Sequence, residues 1–439
     1  MRPRSQRKCR KIAGTTRSVT ALLLWLVVSP VTTALFAGPR VEVTPESWLS
    51  EIAAARRADG TLAPAVTFHL KPGHYRLEPQ AYVDTTCGNC EDPFTPVAAT
   101  VGLIVSGQRI VITGMEEGPE AVVIQTGAGY GLLFRDCQDC RITAVTVTGG
   151  VRDPDPNATD AAIVVQRSRL EIEDCLIRDN LGDSTVVANT VVGVMGIAGR
   201  EGSEISIRNN RIVRNSWDGI ALYRGAQAEI VDNVVDGVDK ATGPHLGGGR
   251  GVGIGVTWDA HATITLNLVT RYWKGIGVFV DAQADLHRNV IEDILTWGIA
   301  YWDAGRGRPV VDMVENVVYA TGACGIAITR EAAGPPLPGS CRGNVLVKTG
   351  QNAKYDDPEY YCRQSPLAIH ALPVGFLVAD NLYYDNRTSS GGPAEGDLTL
   401  LQFRQAAMPL LKLLQCQPAF RSSRCFRELG VPGSDSLYR

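Results

Sequence analysis

The stretch from Ala260 to Trp302, AHATITLNLVTRYWKGIGVFVDAQADLHRNVIEDILTWGIAYW, decides the fold because it says nearly the same thing twice. Ala262-Thr-Ile-Thr-Leu leads to Asn267-Leu-Val and then to Gly275-Ile-Gly-Val; Ala284-Asp-Leu-His-Arg leads to Asn289-Val-Ile and then to Gly298-Ile-Ala-Tyr. The runs are short and alternate apolar residues with polar or small ones, the period of a strand with one face inward. The two asparagines stand 22 residues apart.

Working outward, the Asn followed by two apolar residues returns as Asn233-Val-Val, Asn316-Val-Val, Asn344-Val-Leu and Asn381-Leu-Tyr, with Asn210-Arg-Ile as a variant. Cys175-Leu-Ile and Val145-Thr-Val hold the same place earlier. From Val145 to Asn381 the spacings are 30, 35, 23, 34, 22, 27, 28 and 37, as expected of coils of constant girth that carry loops of different length. Gly219-Ile-Ala-Leu and Gly325-Ile-Ala-Ile repeat the glycine-led strand. Two or three short strands per coil can find hydrogen-bond partners only in neighbouring coils, which makes the chain a β-solenoid. The Asn column predicts a structural ladder: a buried turn leaves backbone groups unpaired, and stacked amides about 4.8 Å apart can satisfy them and one another.

On these residues the chain resembles the right-handed parallel β-helix proteins of the pectate-lyase-like superfamily. Phe68-His-Leu-Lys-Pro-Gly-His-Tyr75 is similar to the strand and turn of that superfamily's first coil, and Gln108-Arg-Ile-Val-Ile-Thr-Gly114 with Ala121-Val-Val-Ile-Gln125 to its second. The resemblance spans about residues 64–385 and implies an all-β fold, not an activity. The Asn-Thr-Asp, Asp-Asp, Gly-His-Gly and Arg-Ile-Lys set of polygalacturonases is absent, Asp356-Asp357 being an isolated pair, and so is the Asp-Pro-His-Asp signature of alginate epimerases. No catalytic residue of the family can be carried across.

The ends need covering, because an open solenoid exposes strand edges. A short helix over residues 45–58, with Thr44 before Pro45 and Gly60 beyond, is expected to cap the first coil. After a linker at 387–396, the apolar stretch Leu398 to Leu414, interrupted by Pro409, is expected to cover the last coil. The domain reading is thus a leader at 1–37, a β-helix with its N-terminal cap at 38–386, and a linker with a helical cap at 387–439. The leader has seven basic residues, the apolar run Ala21 to Val28, Pro30 and small residues at Ala34 and Ala37, which is the layout of a secretory signal peptide, an uncleaved anchor being the alternative. Location outside the cytoplasm is expected: secreted, periplasmic or at the cell surface.

The whole chain carries a formal charge of −3, and without residues 1–34, which hold seven bases and no acid, it carries −10. That excludes a general attraction to nucleic acid. No membrane span is expected in the mature chain, which should be a monomer. Ten of the eleven cysteines lie beyond the leader, and disulfides within or between Cys87/Cys90 and Cys137/Cys140 are favoured over a zinc site; Cys324 with Cys341 and Cys416 with Cys425 are further candidate pairs.

Stacking turns the repeat spacing into a prediction of neighbours. Asp259, Asp281 and Asp303, separated by 22 twice, should form a carboxylate column able to raise a pKa or share a cation, Ca2+ being the one such a column would take. Solvated turn aspartates are the plainer alternative. Asp218, Lys274, Trp297 and Cys324 precede the glycine-led strands in a second column, with Trp217 and Trp273 beside it and Trp258, Tyr301 and Trp302 at the far strand ends. Such aromatic residues form flat platforms for sugar rings, so a polysaccharide or other glycan is the expected partner. His245 and Arg250 lie in the glycine-rich insertion Val238 to Gly251, beside the same face. Without a Gly-Lys-Ser/Thr and a following helix, it is no phosphate loop.

Two classes of function remain open. A polysaccharide-processing enzyme would be a hydrolase using Asp218, Asp259 and Asp303 as its carboxylates, or a lyase in which Lys274, Arg250 or His245 supplies base or charge. A non-catalytic glycan-binding or structural surface protein would use the same aromatic face. The net acidity argues mildly against a polyanionic substrate unless calcium mediates.

Overall fold

A computed structural model describes residues 38–431, apart from 116–117, 184–191, 239–248, 330–337, 357–363 and 389–393. The chain winds into a right-handed parallel β-helix with three sheets along its length. Among the described residues the first sheet has 12 strands, from Arg40–Val43 to Leu377–Ala379, and the second 11, from Gly73–Arg76 to Leu382–Tyr384. The third has 11, from the hairpin Gln80–Asp84 and Val97–Gln108 to Leu367–Ile369. Pairing is parallel throughout except in that hairpin.

Each coil sends apolar side chains inward from every sheet, and they stack into columns. Ile207, Ile230, Ile264, Leu286, Met313 and Cys341 stack in the first sheet, and Ile220, Ile254, Ile276, Ile299 and Ile326 in the third, all fully buried. Like residues therefore pack on like, which is why the alternation is so legible in the sequence.

The corner between the first and second sheets is the predicted Asn ladder. The residue before each Asn turns the chain in the left-handed region: Asn209, Asp232, Leu266, Arg288, Glu315 and Asp380 have φ between 55° and 60°. For residues with a Cβ that conformation costs roughly 1 kcal/mol or more each. The buried amides offset it. Asn267 Nδ2 donates to Asn289 Oδ1 at 3.1 Å and to the Ile230 carbonyl at 2.8 Å, while its backbone N–H donates to the same Asn289 Oδ1 at 3.0 Å. The pattern runs from Asn210 to Asn381, and Cys175 joins it through its N–H to Asn210 Oδ1. A second, shorter amide stack links Asn180 and Asn215 at the corner between the second and third sheets, where the irregular loops had hidden it.

The N-terminal helix is Trp48–Ala55 and buries Trp48 and Ile52 against Phe68 and Tyr75. The C-terminal helix corrects expectation once. It runs unbroken through Pro409 from Leu400 to Leu414, started by a Thr399–Gln402 capping box. As expected it covers the last coil, where Phe403 stacks on Tyr384 at 4.7 Å, and it does so along the outer side of the second sheet, where Phe403, Ala407, Leu411 and Leu414, with Phe420 and Phe426, also cover Leu268, Val290, Val317 and Val345. The buried Glu292 carboxylate pins it there by accepting from Ser423 Oγ at 2.8 Å and from the backbone N–H groups of Arg424 and Cys425 at 2.9 Å. No helix among the described residues is long and apolar enough to cross a membrane.

Candidate functional site

The outer face of the third sheet carries the site, and register explains its shape. Val164, Ala198, Ala221, Gly255, Gly277, Ala300, Ala327 and Ala368 align from coil to coil on that face. After Val164 every member is Ala or Gly, so the column forms a shallow floor between larger side chains. It coincides with the third letter of each Gly-Ile-x-φ motif, a signal present in the sequence but read there as plain strand alternation.

Two outward columns flank this floor. On one side the predicted column of Asp218, Lys274, Trp297 and Cys324 holds, with Val252 inserted between Asp218 and Lys274. On the other stand Phe279, Trp302 and Thr329. Between them lies a cavity of about 320 Å3 whose lining includes Lys274, Phe279, Trp297, Ala300, Trp302 and Ala327. The Phe279 ring folds over Gly277, where a Cβ would lie 2.3 Å from it, so a larger residue there would push the ring aside.

The end of the cavity nearer the N-terminus is built by residues the sequence could not bring together. Trp258 lies under two guanidinium groups, Arg224 at 4.3 Å and Arg306 at 4.6 Å from the ring centre. Its indole N–H donates to Asn89 Oδ1 at 2.9 Å. Asn89 sits in the loop closed by the Cys87–Cys90 disulfide, and Glu91 of the same loop pairs with Arg306 at 3.4 Å. Asn89, Arg306, Phe279 and the alanine floor are thus the site residues that sequence reasoning missed.

Behind Lys274 lies Asp218, which is buried and accepts the Val252 N–H at 2.6 Å. Burial pushes its carboxyl up to about 7, while the Val252 N–H and the Lys274 charge pull the other way. Burial likewise lowers the Lys274 ammonium, against the attraction of Asp218. In both groups desolvation outweighs their mutual attraction. The Lys274 nitrogen stands 4.8 Å from the centre of the Trp297 ring.

Other predicted positions are placed differently. Tyr301 touches the cavity lining, but its ring lies in the core against Phe376 and its hydroxyl donates to the Pro309 carbonyl at 2.9 Å, so it offers no sugar platform. Trp217 packs at the edge of the covered part of the face with Arg250 5.8 Å from its ring centre, and Trp273 is half-buried; neither lines the cavity. Burial lowers the Arg250 guanidinium. His245 lies outside the described residues.

The three-carboxylate column does not form. Asp259 and Asp281 stack, the Asp259 N–H donating to Asp281 Oδ1 at 2.9 Å. The next coil is one residue longer at this point: Val278 pairs with Tyr301 and Phe279 with Trp302, so Asp303 aligns with Val280 rather than Asp281. Asp303 is buried and accepts the Gly305 N–H at 3.0 Å within its own turn. Among the described residues no group of three or more His, Cys, Asp or Glu could hold a metal ion.

The cysteine expectations divide as well. Cys87 and Cys90 are bonded, whereas Cys137 and Cys140 lie side by side as buried thiols. Cys324 lies on the outer face beside Trp297 while Cys341 lies in the core near Asn344, so they are not partners, and Cys416 is exposed while Cys425 is buried. A second, wider trough of about 580 Å3 follows the outer face of the first sheet, where charged side chains already pair between coils, as Arg169 does with Glu204 at 2.9 Å.

Among known proteins, the family model for the right handed beta helix region matches residues 110–269. No curated protein matches significantly. Among solved structures, the chain is similar to the A-module of mannuronan C-5 epimerase AlgE4 from Azotobacter vinelandii, at 14% identity over 78% of this chain and 91% of that one, with a TM-score of 0.47. It is also similar to the Dettilon tailspike protein, at 16% identity over 80% and 68% with a TM-score of 0.42, and to an alginate lyase from Paenibacillus sp. str. FPU-7, at 13% over 78% and 99% with a TM-score of 0.37. The three sheets, the asparagine ladder and the family match over residues 110–269 establish the same thing: this chain has the fold of a right-handed parallel β-helix built from repeated coils.

Proposed function

We propose that the chain is an exported protein that binds an acidic polysaccharide in the cavity between Trp297 and Trp302 and processes it by lyase-type elimination. The observation that carries this reading is Lys274, which lines the cavity with its charge disfavoured by burial and with Asp218 behind it. The described lining includes the basic side chains Lys274 and Arg306, the latter paired with Glu91, and no carboxylate. That favours an anionic sugar despite the overall acidity. Lys274, when neutral, is suited to take the proton from the carbon next to a uronate carboxylate, and Arg306 to balance the charge of that carboxylate. Hydrolysis is less well supported, because Asp259 and Asp303 are not brought to the cavity. The Cys87–Cys90 disulfide suits an oxidising compartment and supports export.

A second reading, glycan binding without turnover, draws on the Asp218 carboxylate, whose bond to the Val252 N–H also serves as a structural brace. Incubation with pectate, alginate and neutral polysaccharides, read by absorbance of unsaturated products and by binding, tests both. Unsaturated products that disappear in Lys274→Ala support elimination. Binding with no product from any polymer supports the second reading, and neither binding nor product removes both.

A further inference from the structure

We infer that the cavity takes the end of a glycan chain instead of letting a chain pass through; this rests on the glycan reading above. The small-residue floor is continuous from Ala198 to Ala368 and buried as far as Ala327; what differs between its two halves is what covers them. Ala161, Ala198 and Ala221 are almost fully buried, with Tyr223, Tyr82, Trp217 and Trp258 packed among them. The hairpin loop after Asp84 runs over this part of the face. Arg200, fully buried, donates to Asp84 and to the Thr86 carbonyl beneath it, and Cys87 packs on Ala158. The tip of the loop then reaches the cavity, where Asn89 holds Trp258, and Glu91 meets Arg306 through its carboxylate and Arg224 through its carbonyl, the latter at 3.5 Å.

A chain lying along the floor would therefore meet Trp258, Asn89 and the two arginines as a wall. The volume agrees: about 320 Å3 lies at the lower end of the roughly 300–1,000 Å3 typical of small-ligand sites. A space of that size suits one or two sugar rings. Toward the other end, among the described residues, the floor continues through Ala327, which packs in one cluster with Tyr355, to the half-buried Ala368, and we take the rest of a chain to leave in that direction.

The test uses the full protein and two oligosaccharide series, oligogalacturonates and oligomannuronates, from disaccharide to octasaccharide. Each is offered untagged, tagged at the reducing end, or capped at the non-reducing end. A terminal site gives an affinity that stops rising after the trisaccharide and is abolished by a tag at one end but not the other. The double variant Asn89→Ala/Glu91→Ala, which leaves Asp84 and the disulfide in place, removes the loop's hold on Trp258 and Arg306 and so opens the wall. It should restore a rise of affinity with chain length, binding the octasaccharide roughly five- to tenfold tighter than the trisaccharide. Affinity that climbs steadily to the octasaccharide in the wild type, with tags tolerated at both ends, would overturn the inference while leaving the glycan reading intact. A wild-type plateau unchanged in a correctly folded double variant would overturn the assignment of the wall to Asn89 and Glu91. Absence of binding by every member of both series counts against the glycan reading itself.

Discussion

The outer face of the third sheet is one surface with two fates. Up to Ala221 it lies beneath the Cys87–Cys90 loop, and the charges there are internal: Arg200 with Asp84 and Glu201, and Arg152 with Asp160, all deeply buried or nearly so. From Gly255 onward the same columns open into a cavity edged by Phe279, Trp297, Trp302 and Lys274. Arg200 and Trp302 occupy corresponding outward positions on their coils, following the inward-facing Gly199 and Tyr301. The repeat supplies the same backbone to both; the inserted loop decides which part is interior. Chemistry on such a scaffold is therefore a property of insertions laid over a periodic surface.

The sharpest way to break this contrast is to exchange the demands on the two cations. Lys274→Ala should lower turnover by about a hundredfold or more, the range for losing a general acid–base group, while shifting the unfolding midpoint little. Turnover assays alongside thermal unfolding check it; unchanged turnover would take Lys274 out of the mechanism. Arg200→Ala should do the reverse. Removing one partner of a buried ion pair leaves the Asp84 carboxylate uncompensated and costs about 3–5 kcal/mol, visible in denaturant unfolding. If Arg200→Ala proved no more destabilising than Lys274→Ala, the sealed half would not be the stability centre that its buried charges imply.

A pH profile sharpens the boundary between the halves, where Asp218 lies. Its carboxyl is raised to about 7 in the folded protein, above an ordinary carboxylate in the unfolded chain. The native state therefore holds a proton that the unfolded state has released. The associated stability is fully present below about pH 4 and is lost as pH rises through 7, by up to about 4 kcal/mol. Asp218→Asn should flatten that part of the stability curve and keep an acceptor for the Val252 N–H. Unfolding measured from pH 4 to pH 8 decides it, because an unchanged slope in the variant would assign the titration to another group.

The two halves also differ in how far they could be read from residues alone. The coils were legible because the Asn turn is a local demand: a left-handed residue followed by a buried amide, restated at each coil from Asn210 to Asn381. Lys274, Trp297 and Trp302 were legible because the alternation shows which residues face outward. Asn89 was not, since it lies 169 residues from Trp258 in sequence and reaches it through a loop that follows no repeat. Tyr301 misled because aromatic character does not say which face of a strand it occupies. Here the inward register of Val278 and Ile328 decides.

The smallest expected effect belongs to Asp259, at the rim of the open half. A spacing of 22 made it the head of a carboxylate column, but stacking depends on the length of each strand and turn. The extra residue that moves Asp303 into register with Val280 leaves Asp259 with Asp281 alone. Burial and its neighbour Asp281 raise the Asp259 carboxyl, while Arg224 opposes them. Its side chain is exposed and outside the cavity, so the neighbouring charge is well screened by solvent. Asp259→Asn should therefore change stability by no more than about 0.5 kcal/mol. It should also leave glycan binding and turnover within about twofold of wild type, and added calcium should shift the melting temperature of neither protein. A large loss of turnover in this variant would restore a carboxylate mechanism and move the reacting centre from Lys274 to the rim. With the cavity then only a binding platform, the open half would owe its chemistry to a turn between the sheets rather than to the face the loop leaves uncovered.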